Sequence, residues 1–187
     1  MKALQRKLIQ EYPRSAFARE NVSALTHVGE GETVQLDAVR AVVEPWIAEQ
    51  PENPMPYYYY GLATLRAGED LEAGAEHMAR ALSLMLANKL RFHGDFSGFR
   101  TEMTLPSAYQ FAAQLAKKRE DWGNALGYAK MAQTLQRDKS DGPYSLEAAV
   151  WEAVGNAEKA EAAYVAAHLA GSKEAEEKLR ALYEKQH

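Results

Sequence analysis

Cysteine is absent from the 187 residues. That excludes a disulfide framework, a thiol nucleophile and every thiolate metal site, and it leaves the compartment open. Strand patterns are scarce: β-branched residues hardly ever alternate with period two, so sheets have little support. Long apolar runs are missing as well. The longest mostly apolar segment, residues 79–87, is interrupted by Arg80 and Ser83, far short of the roughly 18 apolar residues of a membrane span. Residues 1–10 carry basic side chains but no apolar core, so they do not read as a secretory signal. The chain also lacks an excess of positive charge: 22 Lys and Arg stand against 26 Asp and Glu, a formal net charge of -4. That argues against a general nucleic-acid binder, which needs a basic face to displace counterions.

Motifs that carry chemistry are missing too. There is no P-loop, no G-x-G-x-x-G and no G-x-S-x-G. The five histidines, at 27, 77, 93, 168 and 187, include no i, i+4 pair of the kind that holds zinc on a helix. His93, Asp95 and Ser97 are neighbours in sequence, which is no evidence of a triad, since triads are assembled from distant segments. Asp138, Asp141 and Gly142 do not complete a calcium loop. No catalytic residue, no cofactor and no metal ligand is therefore expected, and the chain is read as a non-enzyme.

What the sequence does hold is helix-forming composition. It is 47% hydrophobic and 26% charged, a balance that fits a folded chain rather than a disordered one. Ala, Leu, Glu and Lys dominate, and Gly and Pro punctuate. Helices are predicted over residues 2–11, with Leu4, Leu8 and Ile9 on one face, over 15–27, and over 32–49, which Pro45 should kink or end early. The run Pro51, Glu52, Asn53, Pro54 is a breaker. Beyond it, helical hairpins are predicted at 57–67 with 71–87, at 106–119 with 122–137, and at 144–154 with 157–170. A last amphipathic helix covers 173–183. An irregular insertion is expected at 88–105, and the chain is divided into N-terminal helices at 1–53 and an array at 54–187.

The hairpins repeat. Ala125 and Ala160, Ala132 and Ala167, Ala113 and Ala148, and Tyr109 and Tyr144 each stand 35 residues apart. The fullest copy combines Tyr144, Trp151, Gly155, Ala160, Tyr164 and Ala167: small residues where helices cross, aromatics in the holes between hairpins, and a glycine in the turn. This pattern resembles the tetratricopeptide repeat, a pair of antiparallel helices about 34 residues long. The resemblance covers residues 54–172 less the insertion, and residues 37–47 are read as half of a degenerate copy.

The resemblance implies an all-α, right-handed superhelix of three to four hairpins closed by a capping helix at 173–184. It also implies a concave groove, lined by the first helix of each pair, that binds a protein or peptide. On this alignment the groove holds Tyr59, Ala63 and Arg66, then Gln110, Gln114, Lys117 and Lys118, then Ser145, Ala149 and Glu152. The clamp of Lys, Asn and Arg by which some family members grip a C-terminal carboxylate is not there. Tyr59, Ala63, Phe111, Ser145 and Ala149 occupy its places. Among Tyr57, Tyr58, Tyr59 and Tyr60, which point about 100° apart, Tyr59 is expected to face the groove. Trp151 is expected to fill the core between hairpins. The insertion adds Arg91, His93 and Arg100 as candidate partner contacts.

The function expected is that of a non-catalytic interaction scaffold. The alternative is a helical accessory segment of a larger enzyme or redox protein, since the end of the chain is similar to helical segments of bacterial chains that also carry a thioredoxin-like domain. The partner expected is a protein or peptide, with no nucleic acid and no membrane, and the chain is read as a monomer or weak homo-oligomer. It is expected to be soluble, cytoplasmic if complete, and periplasmic or secreted if cut from a precursor.

Overall fold

The computed structural model describes residues 2–27, 32–91, 101–136 and 140–186. Within them the regular structure is entirely α-helical: eleven helices and no strand. The chain divides into two compact units, Met1–Thr101 and Glu102–His187.

Unit 1 holds α1 (Lys2–Glu11), α2 (Ala16–Asn21), α3 (Ser23–Thr26), α4 (Leu36–Glu49), α5 (Pro54–Ala67) and α6 (Leu71–Arg91). Its centre is α5, which packs on α3, α4 and α6. Asn53 starts this helix: its side chain accepts the Met55 amide at 3.0 Å, and Pro54 occupies the first turn, where a missing N–H costs nothing. Gly68 stops it in the left-handed region, with φ 74°. A glycine–threonine contact brings α5 and α6 close together. A Cβ on Gly61 would lie 2.9 Å from the Gly74 carbonyl oxygen, and a Cβ on Gly74 would lie 2.8 Å from the Thr64 Cβ.

Several expectations change here. The boundary expected between residues 53 and 54 falls inside unit 1, because α5 buries one side against α4. The helix expected over 15–27 breaks into α2 and α3 around Val22, whose side chain is wholly buried. Pro45 neither ends α4 nor cuts it short: the helix runs on to Glu49, held by buried Val42, Val43 and Trp46 on either side of the missing hydrogen bond. In α1, Ile9 is fully buried, but Leu4 and Leu8 face outward. Helix α6 continues to Arg91, and α7 starts at Thr101, so the ends of the expected insertion are helical. Lys89, Leu90 and Arg91 at one end, and Glu102, Met103 and Leu105 at the other, favour that extension over a loop.

Unit 2 holds α7 (Thr101–Lys118), which begins one residue before the boundary, α8 (Trp122–Leu135), α9 (Gly142–Ala153), α10 (Ala157–Leu169) and α11 (Lys173–Gln186). Its core is a seam of small residues. Ala113 and Ala129 pack with Leu146, and Ala116 and Ala125 pack with Val150. Ala148, Ala160, Ala163, Tyr164, Ala167 and Ala175 form the next cluster. Leu115 and Val150, 35 residues apart, are both fully buried, and each contributes about 1.5–3 kcal/mol by leaving water. Trp151 does not fill this core. It packs on the last cluster from the rim, half-buried, with its Nε1–H donating to Glu147 at 3.2 Å and Lys159 Nζ 4.4 Å above the ring. The enclosed aromatic is Tyr164 instead.

The backbone of unit 2 repeats with the same spacing as its side chains. At the α7–α8 turn the amides of Arg119, Glu120 and Asp121 donate to Leu115, Lys117 and Ala116. At the α9–α10 turn Val154, Gly155 and Asn156 donate to Val150, Glu152 and Trp151, each bond displaced by 35 residues. The middle residue of both turns is left-handed, Glu120 at φ 59° and Gly155 at φ 76°. The next helix is then capped alike: Asp121 accepts the Asn124 amide at 3.2 Å, and Asn156 accepts the Lys159 amide at 3.1 Å.

Candidate functional site

Helix α7 turns Leu105, Ala108, Tyr109, Ala112, Ala113, Leu115 and Ala116 inward. What remains outside is a stripe at i, i+3, i+4 and i+7 spacing that carries Gln110, Gln114, Lys117 and Lys118 together with Ser107 and Phe111. Four of the sequence-predicted contacts therefore share one helix face. Gln110 lies against the start of α9, where a side chain on Gly142 would overlap its amide nitrogen. Gln114 and Lys117 make no hydrogen bond or ion pair that the described residues record. Lys118 is the most exposed of the four.

The corresponding positions of α9 hold Ser145, Ala149 and Glu152, each 35 residues on from Gln110, Gln114 and Lys117. Ser145 donates to the Ser172 hydroxyl at 3.3 Å. Glu152 accepts from the Tyr164 hydroxyl at 2.6 Å and from Lys178 at 3.1 Å. Burial, and then the Glu152 carboxylate, raise the Tyr164 pKa above the ordinary phenol value, so this group stays a donor at neutral pH. Helix α7 thus offers two side-chain amides and a cation on one face. Such a surface can exchange hydrogen bonds with an extended backbone and attract a carboxylate.

The other predicted residues lie elsewhere. Tyr59 is buried, at 7% exposure, which corrects its expected role as a groove anchor. Helix α5 has neighbours on several sides, so Tyr58, Tyr59 and Tyr60 are all enclosed although they point in different directions. Arg66 keeps exposed surface but directs Nη1 to the Thr26 carbonyl at 2.6 Å, where it closes the end of α3. Burial lowers the pKa of its guanidinium. Arg91 ends α6, and its side chain lies outside the described residues, as do His93 and Arg100.

The structure also assembles a polar cluster that the sequence did not suggest. In unit 1, Arg40 Nη2 meets Asp70 at 2.6 Å, its Nε donates to the Tyr60 hydroxyl at 3.0 Å, and its Nη1 meets Asp37 at 3.2 Å. The Tyr60 hydroxyl donates to Asp70 at 3.0 Å, and the His77 ring stacks on Tyr60 at 4.3 Å. His77 Nδ1 is 2.8 Å from the Ala73 carbonyl, which can only accept, so that nitrogen carries the proton. The hydrogen bonds to Tyr60 and Asp70 raise the Arg40 pKa further. Beside this cluster a cavity of about 610 Å³ is lined by Val34, Gln35, Leu36, Asp37, Ala38, Arg40, Glu69 and Asp70. The guanidinium is committed to its neighbours, so the cluster braces α4 against the α5–α6 turn. Only the Asp37–Arg40 spacing was legible in advance, because Tyr60 and Asp70 lie 20 and 30 residues away.

Among the described residues no group of three or more His, Asp and Glu could hold a metal ion, and no helix is long and apolar enough to cross a membrane. No family model matches the chain, and no curated protein sequence matches it.

Proposed function

We propose that this protein is a non-catalytic helical-repeat scaffold of tetratricopeptide type that binds a protein or peptide segment along the exposed faces of α7 and α9. The observation that supports it is the 35-residue recurrence of turn, cap and buried alanine between the α7–α8 and α9–α10 hairpins. A repeat of this kind presents the first helix of each hairpin side by side. Gln110, Gln114 and Lys117 supply directional and charged contacts there, while Ser145 and Ala149 leave room for a segment to lie across them.

Affinity capture followed by mass spectrometry tests the reading, with the Gln114→Ala, Lys117→Glu double variant as comparison. Both positions are only half-buried, so far-UV circular dichroism should stay unchanged. Loss of the captured partner from the variant is the expected result. Recovery of the same partners in the same amounts would remove α7 as the binding face.

A further inference from the structure

Helix α1 and the segment that follows it display apolar side chains outward. Leu4 is 65% exposed, Leu8 37%, Tyr12 62% and Phe17 42%. Leu4, Leu8 and Tyr12 form one stripe, because the Tyr12 amide still donates to the Leu8 carbonyl at 3.0 Å and so extends the helical register past Glu11. The buried side of the helix is instead anchored by Ile9 and by Arg6, which donates to the Ala24 and His27 carbonyls and pairs with Glu32 at 2.7 Å.

Charge distinguishes this face from the rest of the chain. Residues 1–21, to the end of α2, contain Lys2, Arg6, Lys7, Arg14 and Arg19 against Glu11 and Glu20, a net +3 on a chain of net -4. Arg6 and Arg19 are spent on Glu32 and Glu49. Lys7 is 71% exposed and pairs with exposed Glu11 across 3.9 Å, and Arg14 is exposed without an ion pair among the described residues.

We infer that this face docks on an anionic lipid surface, with Leu4, Leu8, Tyr12 and Phe17 entering the headgroup region and Lys7 and Arg14 meeting lipid phosphates and carboxylates. Leu and Phe beside Lys and Arg are the composition of helices that lie in a membrane interface, and tyrosine favours the headgroup level. A second copy docking face to face would oppose the two cationic patches. The inference departs from the expectation that no membrane is among the partners, and it concerns binding on a bilayer, not crossing it.

The test is flotation of the full chain with vesicles of phosphatidylcholine alone and of phosphatidylcholine with about one-third phosphatidylserine. The parent should float with the second vesicles only, and should be released when salt rises from about 0.1 to about 0.5 M. Leu4→Ser with Leu8→Ser, and separately Lys7→Glu with Arg14→Glu, should each weaken binding about tenfold or more. These side chains are exposed, so circular dichroism should be unchanged in both variants. No flotation of the parent, or equal flotation of the parent and both folded variants, overturns the inference. If the parent does not float but sediments as a dimer that the Leu4, Leu8 variant abolishes, the face belongs to self-association. If it does not float but binds poly-glutamate, the face belongs to an acidic polypeptide.

Discussion

Replacing Gly74 by alanine should destabilise unit 1 by about 3 kcal/mol, although alanine is the better helix former by about 1 kcal/mol. The reason lies in what the added carbon meets. It would overlap the Thr64 hydroxyl and stand 2.8 Å from the Thr64 Cβ. Thr64 is wholly buried, and its hydroxyl donates to the Gly61 carbonyl at 2.9 Å. Rotating it away leaves a buried hydroxyl without that acceptor, at about 1–3 kcal/mol. The Cβ–Cβ approach survives the rotation, so α5 and α6 must also separate, and overpacking of this kind costs about 1–3 kcal/mol. Gly127→Ala in α8 is the control: a Cβ there meets nothing within 4 Å, and the change should stabilise by about 0.5–1 kcal/mol. Urea titration followed by far-UV circular dichroism gives both values. In a Trp122→Phe, Trp151→Phe background, Trp46 fluorescence reports unit 1 by itself. Adding Thr64→Ala to Gly74→Ala should recover part of the loss, a coupling that neither single change predicts. If Gly74→Ala proves as stabilising as Gly127→Ala, the close approach of α5 and α6 is refuted.

Glu120→Gly should raise stability by about 0.5–1 kcal/mol, because glutamate there holds a left-handed φ of 59° that glycine adopts freely. Gly155→Ala, at φ 76° in the matching turn, should lower it by about 1 kcal/mol. Thermal melting decides, and shifts of the same sign in both variants would contradict the repeated turn. Hydrogen bonds from the side chain and then the backbone amide of Asn124 hold the Asp121 carboxyl below its ordinary value of 3.8. A depressed folded value means stability that is complete above the ordinary value and lost as pH falls through the folded one. Asp121→Asn keeps a capping oxygen, so at neutral pH it should lie within about 0.5 kcal/mol of the parent. Its stability should fall less steeply below about pH 4; an acid limb identical to the parent's would show that Asp121 contributes nothing to it.

Much of the helical framework was readable because its punctuation is chemical. Gly68 marks a left-handed stop, and Asp121 and Asn156 are N-caps that recur with the repeat. The break near Val22 was not readable, since that residue keeps right-handed helical angles (φ -55°, ψ -28°) and carries no breaker chemistry. Helical periodicity was enough to put Gln110, Gln114 and Lys117 on one face. It was not enough for Tyr59, whose fate depends on how many helices surround α5, nor for Arg66, whose target Thr26 lies 40 residues earlier. Leu4 and Leu8 were placed on one face with Ile9, and apolar spacing marks such a face without saying what covers it.

The alanine seam of unit 2 also decides which mutations the protein tolerates. Ala113, Ala125, Ala129, Ala132, Ala148, Ala160 and Ala167 show at most 2% of their surface. Truncation has little left to remove at such positions, while a single added methylene has nowhere to go. Saturation mutagenesis should therefore find these alanines among the least permissive sites of the unit, accepting glycine or serine before any larger apolar residue. Half-buried Trp151 should accept other aromatic side chains more readily. In these hairpins the information that specifies the fold is written largely as a ceiling on side-chain volume.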